Sequence, residues 1–128
     1  MVVIDTDVLI AFSKGNEKII EKIKWLETFD SLAPTMLNAE EFLVGLYFST
    51  EDSINKGKLM LQKFKIYDYT SMELSNVVQV KAMQKKKGTP IGKYDETIAG
   101  ICLAKNEKLF TLNKKHFGKI DNLQLVDF

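Results

Sequence analysis

The stretch VVIDTD (residues 2–7) puts two carboxylates directly behind a short, wholly apolar, β-branched run. A run of that kind marks a strand buried on both faces, the habit of parallel sheets covered by helices. Such a strand should end in a residue that is cheap to solvate. Ending in Asp5 and Asp7 needs a reason, because a buried carboxylate without a partner is costly. A helix is expected next, capped by Thr6 or Asp7 and running through VLIAF (8–12).

Outward from this stretch, helical and extended segments alternate. NEKIIEKIKWLETF (16–29) has apolar residues at 19, 20, 23 and 26 with charges between them, the pattern of an amphipathic helix. SLAPT (31–35) reads as a brief extended segment broken by Pro34. Helices are expected over 36–48, 52–64, 72–87 and 94–106, with a loop at GTPIG (88–92). KIYDY (65–69), KLFTL (108–112) and LQLVDF (123–128) read as strands. There is no repeat or linker, so the expectation is one α/β domain over residues 1–128 with a central parallel sheet between helices. Sites in such folds lie outside the carboxyl ends of the strands.

With 45% apolar and 27% charged residues, the composition is that of an ordinary soluble protein. Cys102 is alone, which excludes an internal disulfide. The first residues lack a basic segment, and Asp5 interrupts their apolar run, so no signal peptide is read there. No stretch approaches the ~20 apolar residues of a membrane span, and a cytoplasmic location is expected. The net charge of +1 hides an asymmetry: residues 1–80 hold 8 lysines and 12 acids, residues 81–128 hold 10 lysines and 5 acids. Every cation is a lysine, suited to phosphate as a point charge and not to forked reading of bases.

Three acids do not fit a solvated surface. Asp5 ends the buried strand. Asp95 precedes Ile98, Ala99 and Cys102 by three, four and seven residues, which places it on the apolar side of its helix. Glu41 shares a face with Leu37, Val44, Gly45 and Phe48. Gly45 costs about 1 kcal/mol in a helix interior relative to alanine and would allow another backbone to approach. Each acid has a structural explanation available: a cap for Asp5 or Asp95, a lysine partner for Glu41. Three together, two of them at the mouth of a sheet, point to a cation, and hard oxygen donors without cysteine or histidine point to Mg²⁺ or Mn²⁺. Thr111 and Asn113 are two apart at the end of another strand and should point to one side, unless Asn113 begins a turn.

With these residues in place, the chain resembles the PIN-domain family over essentially its whole length, and within it the small VapC-type toxins of prokaryotic toxin–antitoxin pairs. VVIDTDVLI (2–10) is similar to the family's opening strand, which maps its aspartate to Asp5 with Thr6 beside it. LNAEEFLVG (37–45) is similar to the helix whose glutamate is followed four residues later by glycine, which selects Glu41 over Glu40. IGKYDETIAGICLAKNEKLFTLNKKHF (91–117) is similar to the stretch holding the third acid, Asp95, and a Thr-x-Asn pair, Thr111 and Asn113. Two departures stand out: Asn113 replaces a fourth acid, and Gly100 stands where the family usually has alanine.

The resemblance implies an Mg²⁺- or Mn²⁺-dependent endoribonuclease. Asp5 and Asp95 would bind the ion, and Glu41 would bind it or position a water. It also implies a homodimer and an inhibitory VapB-like antitoxin. Lys85, Lys86, Lys87 and Lys93 before Asp95, and Lys114 and Lys115 after Asn113, would meet RNA phosphates. Trp25, Phe29, Phe42, Phe48 and Phe64 lie at helical spacing and are expected in the core, with 42–48 and 16–29 as possible walls of the antitoxin groove. His116, the only histidine, is expected to pack or cap beside Phe117, and Asp7 to cap the first helix. Two other readings compete. The Asp-x-Asp of haloacid-dehalogenase-type phosphatases normally carries a threonine where Leu9 stands. A degenerate PIN domain that binds RNA or protein without cutting is favoured by Asn113 and opposed by the three retained acids.

Overall fold

The computed structural model describes residues 1–128. β1 (Val2–Ile4) is the middle strand of a parallel three-stranded sheet, with β2 (Leu32–Pro34) on one side and β3 (Lys108–Phe110) on the other. In register, Ile4 stands beside both Pro34 and Phe110, so all three strands finish at one edge. The helices are α1 (Thr6–Ser13), α2 (Glu17–Glu27), α3 (Met36–Leu46), α4 (Glu51–Leu61), α5 (Leu74–Lys87), α6 (Lys93–Lys105) and α7 (Lys114–Phe117).

Strand alternation sorts the core into two halves. Val2, Ile4 and Phe110 pack with Ile19, Ile23, Phe42 and Leu61 from α2, α3 and α4. Val3 and Leu109 point the other way, against Val80, Ile98, Cys102 and Phe117 from α5, α6 and α7. The result is the expected three-layer α/β/α arrangement. Polar side chains set where helices begin: Asn16 accepts the Ile19 N–H at 3.1 Å and Thr50 accepts the Ser53 N–H at 3.2 Å. Asn106 closes α6 in the left-handed region at φ 53°.

Two expected strands shrink to single bridges, Thr35 with Tyr67 and Leu109 with Leu125. Tyr67 donates to the Pro34 carbonyl and receives the Met36 N–H. The next bond backward in a parallel ladder would use the N–H of residue 34, which proline lacks. Next to the other bridge, the Glu107 N–H donates to the Cys102 carbonyl that closes α6, so the ladder cannot extend that way. Pro34 itself does not break β2; it is paired within it.

The aromatic expectations need correction. Phe42 is buried and Phe64 packs against the core, but Trp25, Phe29 and Phe48 are 54%, 62% and 89% exposed. On α3 the buried stripe is Asn38, Ala39 and Phe42, set by the Thr35 cap; the stripe through Glu41, Val44 and Phe48 faces outward. Gly45 accordingly has no neighbour within 4 Å of where a Cβ would stand, so no backbone approaches it.

Gly100 carries the weight instead. A Cβ there would lie 2.5 Å from the Val77 Cα, so the residue lets α6 press directly on the backbone of α5. Gly100→Ala should push these helices apart and cost about 1–3 kcal/mol, read as a lower melting temperature. An unchanged melting temperature would show that the close approach is not required.

Candidate functional site

Because the three strands end at one edge, the residues that follow them converge. Asp5 follows β1, Thr35 follows β2 and Thr111 follows β3. Asp5 is 6% exposed and receives three donors. Its Oδ1 accepts the Thr6 N–H at 2.9 Å and Asn38 Nδ2 at 3.1 Å, and its Oδ2 accepts the Thr111 hydroxyl at 2.7 Å. It is the N-cap of α1, a role open to it in the sequence, and the cap expected of Thr6 or Asp7 is not formed. The correction matters, because Asp7 is then released from capping. Asp7 is the second residue of α1, in its first turn, and its Oδ2 accepts the Leu112 N–H at 3.1 Å.

Asn38, which the sequence reading missed, organises the group. Its Oδ1 accepts from the Thr35 N–H at 3.1 Å and the Thr35 hydroxyl at 2.7 Å, closing a capping box. Its Nδ2 then donates both to Asp5 and to Thr6 Oγ1, each at 3.1 Å. The Thr6 hydroxyl in turn donates to Glu41 Oε1 at 3.2 Å, so an exposed glutamate is tied to a buried network. The signal for Asn38 was present as a Thr-x-x-Asn at the start of a helix.

Asp95 is the third residue of α6 and half-buried; Gly92, at φ 111°, holds the N-cap position, so Asp95 does not cap its own helix. His116 Nδ1 lies 3.2 Å from Asp95 Oδ2 and 2.8 Å from Asn113 Nδ2. With its proton on Nδ1 the ring donates to Asp95; with Nδ1 bare it accepts from Asn113. His116 also packs on Phe117 with ring centroids 5.7 Å apart. Thr111 and Asn113 part company: Thr111 is buried on Asp5, whereas Asn113 is exposed at the start of α7, the turn-like position.

Electrostatically the four acids form one group. Burial, with Asp7 next, pushes the Asp5 carboxyl up to about 7 against the pull of Thr111 and Thr6. Burial is also the leading cause of the upward shifts at Asp7, Glu41 and Asp95. Asp7 adds to the shift at Glu41 and Asp95, and Asp95 adds to it at Asp5 and Glu41. No lysine pairs with any of them; the only counter-group is His116 on Asp95.

No three of these side chains stand close enough to cage an ion unaided. Their chemistry nevertheless fits a hard divalent cation: oxygen donors only, mutually repelling, with Asp7 Oδ1 buried and lacking any hydrogen-bond partner.

Of the lysines expected to meet phosphate, Lys87 pairs with Asp121 at 2.7 Å and Lys114 donates to the Phe128 carbonyl at 2.8 Å. Lys85, Lys86, Lys93 and Lys115 are exposed and make no ion pair. Lys93 opens α6, two residues before Asp95.

A sheet of this order with acids at its carboxyl edge defines a class of protein, and comparison agrees. The chain matches the PIN domain over residues 2–123. It belongs to the PIN-domain family. It is 30% identical to Ribonuclease VapC1 of Haemophilus influenzae strain R2866, covering 98% of this chain and 96% of that one. A tRNA(fMet)-specific endonuclease VapC of Salmonella typhimurium is 28% identical over 53% of this chain and 52% of its own. Among solved structures, VapBC2 from Rickettsia felis bound to a DNA fragment from their promoter superimposes with a TM-score of 0.92 at 23% identity, covering 100% of this chain and 99% of that one. VapBC-1 from nontypeable Haemophilus influenzae superimposes with a TM-score of 0.86 at 30% identity, covering 99% and 98%.

Two outcomes are expected. The folded protein holds the Asp5 proton up to about 7, whereas the unfolded chain releases it in the ordinary carboxylate range. Between those values the native state binds more protons, so stability falls as pH rises. In EDTA the melting temperature should drop from pH 5 towards pH 7.5, and Asp5→Asn should flatten that slope. Asn38→Ala should cost about 1–3 kcal/mol in denaturant titration, since it removes a donor from a buried carboxylate. Asn38→Asp, which adds a like charge beside Asp5, should cost more.

Proposed function

We propose that the chain is a divalent-metal-dependent endoribonuclease, the toxin of a VapBC-type toxin–antitoxin pair. The observation that carries this reading is the group of four acids, Asp5 at the end of β1 with Asp7, Glu41 and Asp95 on the helices around it, lacking any lysine partner. It is supported by the near full-length likeness to Ribonuclease VapC1.

Asp5, Asp95 and Glu41 are the groups assigned to hold Mg²⁺ or Mn²⁺. When bound, such an ion lowers the pKa of a water, polarises the phosphate and steadies the leaving oxygen. The chain's own residues supply the rest. Thr6, Thr111 and Asn38 fix Asp5 in one orientation, and Thr6 holds Glu41 over the edge of the site, where it can orient a water. His116 orients Asp95. Lys93 and Lys115 are free to meet RNA phosphates near the acids, and Lys85 and Lys86 extend that positive face; affinity should fall as salt rises. No protein nucleophile is required.

The same reading assigns the exposed apolar surface to protein partners. Val44, Tyr47 and Phe48 stand out from α3 and its end, and a mostly polar hollow lies among Phe12, Lys14, Leu46, Ser53, Lys56 and Met60. Trp25 and Phe29 form a second exposed pair, edge to face at 4.7 Å. A VapB-like antitoxin and a second copy of the chain are the proposed occupants, in the cytoplasm. No helix is long and apolar enough to cross a membrane.

Cleavage of a mixed RNA pool in Mn²⁺, Mg²⁺ or EDTA tests the activity, with Asp95→Asn alongside. Cutting that needs the metal and vanishes in the variant is expected. Cutting that persists in Asp95→Asn would refute the site. Metal-dependent stabilisation without any cutting would favour a binding module instead.

A further inference from the structure

We propose that Asp7 is a fourth carboxylate of the cation site, supplying the negative charge that Asn113 does not; this rests on the metal-dependent reading above. The geometry of the side chain separates two jobs. Oδ2 is anchored on the Leu112 N–H at 3.1 Å, which fixes the carboxylate between α1 and the segment after β3. The Thr111 hydroxyl stands 3.4 Å away but has a single proton, and its shorter contact, 2.7 Å, is to Asp5. Oδ1 is buried and has no hydrogen-bond partner, the only side-chain oxygen or nitrogen in the chain of which this is true. A buried acceptor left unmade costs about 1–3 kcal/mol, and more when charged. A purely structural bracket to Leu112 would be served as well by asparagine, whose carbonyl oxygen can accept the same N–H while removing the repulsion with Asp5.

The position agrees with the charge distribution. Asp7 and Asp5 flank one hydroxyl, that of Thr111, so their carboxylates are neighbours. Asn113, the residue expected at the fourth position, is exposed and engaged with His116. The chain thus places its fourth charge on the first helix instead of after the last strand.

The test is Mn²⁺ binding by calorimetry, and the Mn²⁺-induced rise in melting temperature, for the wild type, Asp7→Asn and Asp95→Asn, each checked for fold by circular dichroism. Asp7→Asn should keep the fold, melt in EDTA no lower than the wild type, and bind Mn²⁺ about tenfold or more weakly. Asp7→Ser serves as a second variant should the asparagine rearrange the Leu112 contact. Wild-type affinity in both Asp7 variants, with Asp95→Asn weakened, would overturn the role of Asp7 and leave the site standing. A wild type that binds no Mn²⁺ would overturn the site and Asp7 with it. A lower EDTA melting temperature in Asp7→Asn with unchanged Mn²⁺ affinity would show Asp7 to be a structural bracket only.

Discussion

The structure turns on one buried carboxylate. Asp5 sits at the edge where three parallel strands finish, and it is stable there because each neighbouring strand end contributes to a donor set: Thr6 after its own strand, Asn38 in the first turn after β2, Thr111 after β3. A carboxylate buried without such donors would have to be neutral or would destabilise the fold. Even with them, burial and the neighbouring Asp7 hold its proton up to about 7. The sheet register, the α3 cap and the turn after β3 are therefore coupled through one side chain.

That coupling links fold to chemistry. The Asn38 amide cannot serve Asp5 unless its oxygen is held by Thr35, and Thr35 can hold it only where β2 hands over to α3. The same amide reaches Thr6, and Thr6 reaches Glu41. An exposed acid on the outer stripe of α3 is thereby oriented from the core. On the opposite side the orientation is weaker: Asp95 has only His116 as a neighbour of opposite character, and it stands half in solvent. Asp5 is thus held by three donors, whereas Glu41 and Asp95 each have a single hydrogen-bonding neighbour, Thr6 and His116.

Much of this was legible from local pattern. VVI (2–4) announced a buried parallel strand, and every helix but the short, unexpected α7 fell within a few residues of its expected place, since helix periodicity and caps are local properties. Asp5 and Asp95 stood out because each occupied a place where an acid is costly. Glu41 was singled out for a reason that does not hold: its face of α3 is exposed, and it joins the group through Thr6, not through burial. Trp25, Phe29 and Phe48 show the same limit, because apolar spacing marks a face without saying whether anything covers it.

What the sequence determined by itself was the α/β alternation, the placing of a carboxylate at the end of the first strand, and the residue types that such a site can use. These depend on near neighbours along the chain. The tertiary structure decided which oxygen meets which donor. Asn38 joins the site, His116 turns to Asp95, and the pairing of residues 65–69 ends at one bridge because Pro34 lacks a donor. Each of those depends on contacts between residues far apart in sequence, and only the packed strands and helices bring them within hydrogen-bond reach.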